Sequence, residues 1–276
     1  MIKDLLVPII RPGGETDPLS VAITIADAYA AHIAAVLPAP MLSAAQTPWG
    51  VTSPSLVQSL LVEEERATRQ RVAALREYLD AHARSWDVRT HSNLLQASPA
   101  AMAMQARYAD LSVMRLPADD VTDDEQRGLF SALLFESGRP VLVVPANRHV
   151  AAPFRNIVLA WKDTREAARA LHDTLALFSP ASMDILMVDP DVDEREEDPG
   201  AGIAAHVAKH VPDVSVAIRK SGTLSITTTI LLHAAERGAD LVVAGGYGHS
   251  RLREWVLGGT THELLRRLDT PVLFSH

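Results

Sequence analysis

The 276-residue sequence predicts an α/β protein of two tandem domains, each a five-stranded parallel sheet flanked by helices. Three observations predict it. Apolar runs of strand type alternate with helical stretches along the whole chain, the pattern of a parallel sheet covered on both faces. The same plan occurs twice. In the second copy a late strand stops abruptly at glycines that precede a helix.

The repeat is visible residue by residue. Asp110-Leu111-Ser112-Val113-Met114 matches Asp240-Leu241-Val242-Val243-Ala244, an offset of 130 (240 − 110). Arg139-Pro140-Val141-Leu142-Val143-Val144 matches Thr270-Pro271-Val272-Leu273-Phe274-Ser275, an offset of 131 (270 − 139). Leu5-Leu6-Val7-Pro8 pairs with Ile157-Val158-Leu159-Ala160 at 152 (157 − 5), so the first copy carries extra residues, placed in its second helical segment. The division falls around Pro145–Pro153, giving domains 1–148 and 153–276.

In the first copy, strands are expected near Asp4–Ile10, Ala31–Leu37, Asp87–Leu94, Asp110–Leu116 and Pro140–Val144. Its longest helix runs from Leu56 to about Ala83, and Glu63-Glu64-Glu65 reads as a solvated face. In the second copy, Asn156–Trp161, Met183–Val188, Val214–Arg219, Asp240–Ala244 and Pro271–Phe274 read as strands. Thr164–Leu177, Ala201–His210, Thr223–Arg237 and Glu263–Leu268 read as the intervening helices. Five strands per copy fit a doubly wound, Rossmann-like unit, which takes ligands at the carboxyl ends of its strands.

Bulk composition narrows the function. A net charge of −8 argues against non-specific nucleic-acid binding, because the phosphate backbone would repel such a surface. It leaves room for an anionic ligand held by backbone N–H groups, which carry their own local field. With no cysteine there are no disulfides, thiolate nucleophiles or cysteine zinc sites. No apolar run is long enough to span a membrane, and the first residues lack the regions of a signal peptide; a cytoplasmic location is the expectation.

The segment with the most chemistry is Ala239-Asp240-Leu241-Val242-Val243-Ala244-Gly245-Gly246-Tyr247-Gly248, followed by Leu257-Gly258-Gly259-Thr260-Thr261. Glycines let backbone approach a bulky anion, and the N-terminus of the next helix offers unpaired N–H groups and a positive dipole end. Strand, glycines and helix together are shaped to cradle a phosphate chain; the bland alternative is that the glycines only shape tight turns. No Walker lysine follows them, since Thr260 stands after Gly259, and no nucleophile elbow is present.

Gly245-x2-Gly248-x9-Gly258 is the glycine spacing of the universal stress protein family, which the chain resembles here closely and over nearly its whole length in tandem architecture. The resemblance implies adenine nucleotide alpha hydrolase-like domains and a stress-response protein. It implies ATP, with or without Mg2+, as the ligand: phosphates on the backbone of Gly248, Gly258, Gly259 and Thr260 with help from Thr261, ribose near Gly245. In that family a Ser or Thr directly follows the third glycine; here Gly259 does, and the hydroxyls come at Thr260 and Thr261.

The end of the second copy's first strand, Ala160-Trp161-Lys162-Asp163, is the family's other contact region, and Val188 matches its adenine-side wall. Lys162 stands where the family places an acidic residue; it reaches a phosphate as a point charge or marks a weakened site. Asp163 touches ligand or caps the next helix. Trp161 stacks on a base or packs. Where the second copy has Gly245 to Gly259, the first has Arg115 to Glu125 with four aspartates, so the first half reads as a degenerate site whose role is to pair with the second, with a homodimer as a further arrangement. His206 and His210 share a helical face and read as a surface pair rather than metal ligands. Two other readings stay open: a stress protein that binds no nucleotide and acts through dimerisation and partners, and a slow ATPase using a carboxylate such as Asp163 or Asp189.

Overall fold

The computed structural model describes residues 1–9, 18–37, 54–90, 99–115, 124–145, 150–190, 199–246, 259–266 and 268–276. The first half runs β1 (Asp4–Pro8), α1 (Pro18–Tyr29), β2 (His32–Leu37), α2 (Pro54–His82), β3 (Trp86–Thr90), α3 (Pro99–Ala106), β4 (Leu111–Met114), α4 (Asp124–Glu136) and β5 (Val141–Val143). The second runs β6 (Asn156–Ala160), α5 (Arg165–Leu177), β7 (Ser182–Val188), α6 (Ala201–Val207), β8 (Asp213–Arg219), α7 (Ile226–Glu236), β9 (Leu241–Gly245), α8 (Gly259–Arg266) and β10 (Val272–Ser275). The extra length of the first copy lies where the offsets put it: α2 has 29 residues against seven in α6.

The strands form one sheet of ten in the order β3-β2-β1-β4-β5-β10-β9-β6-β7-β8. Each half is parallel throughout, and the halves join edge to edge by antiparallel pairing of β10 with β5 (Val272 opposite Val143, Leu273 opposite Leu142, Phe274 opposite Val141). The central strands β1, β4, β5, β9 and β10 are almost wholly buried, which is why they read as unbroken apolar runs. One face packs on Leu5, Ile25, Ile33, Leu159, Leu171 and Val243, the other on Leu6, Phe130, Leu133, Val158, Ile230 and Phe274.

The repeat in sequence is a repeat in hydrogen bonding. Asp240, just before β9, accepts from the backbone N–H groups of Arg155 (2.8 Å) and Asn156 (3.1 Å), which begin β6. Asp110, just before β4, accepts in the same way from Lys3 (2.7 Å) and Asp4 (3.1 Å), at the start of β1. In both halves the aspartate's own N–H returns a bond to the first strand, to Asp4 and to Asn156 respectively. Each pair satisfies amides at a sheet end that would otherwise lack partners.

Three helices differ from expectation, α8 by starting at Gly259 rather than Glu263. α7 begins at Ile226 rather than Thr223, because Gly222 adopts φ +61° in a turn closed by Leu224 N–H to Ser221 C=O, and Ser225 then caps the helix by accepting from Thr228 N–H at 3.1 Å. α6 ends at Val207, and the residues to His210 close in tighter bonds such as Lys209 N–H to His206 C=O.

Asp110→Ala and Asp240→Ala should each lower stability by about 1–3 kcal/mol, the worth of hydrogen bonds to a charged acceptor. Urea unfolding with an unchanged m-value is the check; no change in either variant removes these aspartates from the sheet's support.

Candidate functional site

In the second half, β6 sends the chain outward to β7 and β8, while β9 lies on the other side of β6 and leads to β10. The gap between the carboxyl ends of β6 and β9 is therefore a topological switch point, where open α/β sheets bind ligands. Ala160 pairs with Ala244 at that end. Trp161 follows Ala160 and Gly245 follows Ala244, so two of the predicted contact regions emerge side by side.

Gly245 is glycine for a reason that can be measured. A Cβ there would lie 2.6 Å from the backbone N of Ala167 and 2.6 Å from the backbone C of Glu166, in the first turn of α5. Backbone atoms cannot swing away as a side chain can. At the corresponding offset the first half has Arg115, a large side chain where the second half admits none.

Trp161 is half-buried and packs against the hydrophobic core, and its backbone N–H donates to Leu186 C=O at 2.8 Å. Lys162 and Asp163 are exposed. Asp163 is not the cap of α5. That role falls to Thr164, whose hydroxyl accepts from Ala167 N–H at 3.3 Å, because Thr164 holds the extended backbone a capping residue needs and Asp163 stands one residue too early. Val188 closes β7 and packs partly into the core.

Gly259 and Thr260 open α8, so the helix starts directly at the second glycine cluster, and Thr261 is buried in its first turn. Glu263 anchors this helix by accepting from Ser225 Oγ at 2.8 Å. Gly248, Gly258 and His249 lie outside the described residues, as does the first half's acidic run from Leu116 to Asp123. The last two residues of that run, Asp124 and Glu125, open α4.

Three carboxylate features, at Glu166, Asp184 and Asp87, escaped the sequence reading, and Asp189, named there, has a setting that the sequence does not show. Glu166 is 7 % exposed beneath Gly245. Burial pushes its carboxyl up, but its own N–H, the Thr164 hydroxyl, Arg165 and His276 outweigh burial and hold it below the usual range. Asp189 has φ +45°, an uncommon backbone for a non-glycine residue, and its carboxylate accepts from the Ser221 hydroxyl and, at 3.1 Å, from the Ser221 N–H, contacts that lower its pKa. Asp184, buried mid-strand in β7, accepts from His233 Nε2 (2.8 Å), Ser215 Oγ (2.9 Å) and Arg237 Nε (2.8 Å). Ser215 bonds the carboxylate and not the imidazole, so these residues tie β7, β8 and α7 together rather than form a nucleophilic relay. The polar Asp184 inside the run Ser182–Val188 was the available signal. In the first half His32 bridges Ser85 and Asp87 at 2.8 Å each.

His206 and His210 share a face as expected, and α5 brings His172 beside them, with ring centroids 5.6 Å (His172 to His206) and 5.2 Å (His206 to His210) apart. Among the described residues no group of three such side chains is arranged to hold a metal ion. No described helix is long and apolar enough to cross a membrane.

The universal stress protein family model matches residues 153–276. No curated protein matches the chain. Among solved structures, a universal stress protein from Archaeoglobus fulgidus DSM 4304 superposes with a TM-score of 0.69 at 16 % identity, over 99 % of this chain and 95 % of that one. A functionally unknown protein from Pseudomonas aeruginosa PAO1 superposes with a TM-score of 0.57 at 16 % identity, over 99 % of this chain and 92 % of that one. At these identities the likeness is one of fold, and it extends over both halves.

Gly245→Val should destabilise the protein by about 1–3 kcal/mol, the usual cost of overpacking, seen as a lower unfolding midpoint; an unchanged midpoint would contradict the close approach to α5. Glu166 has a folded pKa below its unfolded one, so its stabilisation is present above the ordinary Glu range and is lost as pH falls through the folded value. Glu166→Gln should therefore flatten the acid limb of a stability-against-pH curve, and an unaltered limb would show the carboxylate to be uncoupled from folding.

Proposed function

We propose that this chain, whose residues 153–276 match the universal stress protein family model, binds ATP or a related adenine nucleotide in that half and acts as a regulatory module of the stress response. The observation that carries the reading is the position of Gly245-Gly246: they leave β9 at the topological switch point. Gly259, the second residue of the later glycine pair, opens α8.

Phosphates would rest on backbone N–H groups of Gly248, Gly258, Gly259 and Thr260, with Thr261 alongside, in the field of a helix N-terminus. The ribose would lie near Gly245, and the base between Val188 and the Ala160–Asp163 segment. Lys162, exposed at the rim, would add a point charge toward the phosphates or toward a Mg2+-bound triphosphate. The half-burial of Trp161 favours packing over stacking for its ring.

Binding is favoured over turnover. Efficient phosphoryl transfer to water needs a carboxylate or other group that orients the nucleophile. Asp189 is engaged by Ser221. Asp163 is exposed and one residue outside the capped turn. A nucleotide held without rapid hydrolysis reports its own concentration, which suits a switch.

Calorimetric titration with ATP and Mg2+ should give one site per chain. Gly248→Trp should weaken it at least tenfold, about 1.4 kcal/mol, with an unchanged melting temperature. Equal affinity in that variant would remove the glycine segment as the site. Absence of binding, with no nucleotide carried through purification, would favour a partner-binding stress protein.

A further inference from the structure

We propose that α4 of the first half positions the nucleotide segment of the second, with Leu134 and Phe135 as positioning residues; this rests on the nucleotide reading above. Leu134 is 2 % exposed and reaches across the seam, its Cδ2 standing 2.8 Å from where a Cβ of Gly246 would be. Phe135 sets its ring edge-on to His276, centroids 4.7 Å apart at 82°. His276 Nδ1 in turn donates to the carbonyl of Gly246 at 3.0 Å, while the Gly246 N–H donates to Ser275 C=O at 2.8 Å. One turn earlier on α4, Phe130 packs edge-on against Phe274 of β10 at 5.6 Å.

Gly246 is thus fixed on all sides that matter. Both its backbone polar groups are tied to the end of β10, and its Cα is pressed by a side chain from the other half. Its neighbour Gly245 is pressed by the first turn of α5. The root of the phosphate-binding segment is held between a helix of each half, so its position depends on the seam. Sites that must be held to within about 0.5 Å gain their accuracy from such support. The first half, with no glycine pattern of its own, is therefore a structural part of the second half's site.

The test is ATP affinity by calorimetry for the wild type, Leu134→Ala, Phe135→Ala, Gly246→Ala and the double variant Gly246→Ala/Leu134→Ala, all in the full chain. Leu134→Ala and Phe135→Ala should weaken binding about three- to thirtyfold. Gly246→Ala should weaken it by clashing with Leu134, and the double variant should recover most of that loss, which mere loosening of the fold does not produce. The His276 ring signals in the NMR spectrum should shift on adding ATP. If the wild type binds ATP and all four variants bind as it does, the positioning role is overturned and the nucleotide reading stands. If the wild type binds no ATP, both fall. Phe135 is 43 % exposed, so its variant decides the matter should Leu134→Ala fail to fold.

Discussion

The antiparallel pairing of β5 with β10 is the contact on which the rest of the molecule depends. Each half alone is a parallel sheet with its last strand at an edge, and an edge strand exposes unpaired N–H and C=O groups. Joining the two last strands removes both edges at once. The strands involved are short, three residues in β5 and four in β10, and entirely buried. Their hydrogen bonds are reinforced by the apolar layer above them, where Phe130 of the first half meets Phe274 of the second. The free edges of the sheet are left at β3 and β8, whose residues are partly buried or exposed.

That arrangement places the candidate site asymmetrically. Both halves have a switch point between their first and fourth strands, but only one combines it with small residues. In the second half Gly245 allows α5 to come against the strand end, and Gly246 allows Leu134 to do the same from across the seam. In the first half Arg115 follows β4 directly, and the sequence after it is acidic where the second half has glycines. The same scaffold therefore carries unequal chemistry because of a few residues at one end of one strand, while the mirrored aspartates Asp110 and Asp240 hold the other end of both halves alike.

Much of the fold was legible because buried parallel strands write themselves as apolar runs, and because the repeat duplicates each signal. The closing runs at Pro140–Val144 and Pro271–Phe274 were readable as strands, but not their antiparallel meeting, since nothing local in Val141-Leu142-Val143 distinguishes a partner in one half from one in the other. Helix starts were less legible: Thr164 and Ser225 act as caps through the geometry of a turn, and flanking Asp163 and Thr223 look equally suitable in sequence. At the candidate site, the glycine spacing was visible, whereas the reasons for two of the glycines were not. Gly245 and Gly246 answer to Glu166, Ala167 and Leu134, which lie about 80 and 110 positions away along the chain. The Asp184 network stayed hidden for the same reason, its partners being brought in by two other elements, Ser215 by β8 and His233 and Arg237 by α7 and its end.

In the proposed function an adenine nucleotide sits at the carboxyl ends of β6 and β9. Mapping backbone amide shifts by NMR on adding ATP and Mg2+ tests it most directly, because it reports position as well as binding. Shifts should concentrate at Trp161–Thr164, Val188, Gly245–Gly248 and Gly258–Thr261, with the strand ends at Asp110 and Asp240 unmoved. Shifts centred in the first half, or none while the protein remains folded, would contradict it.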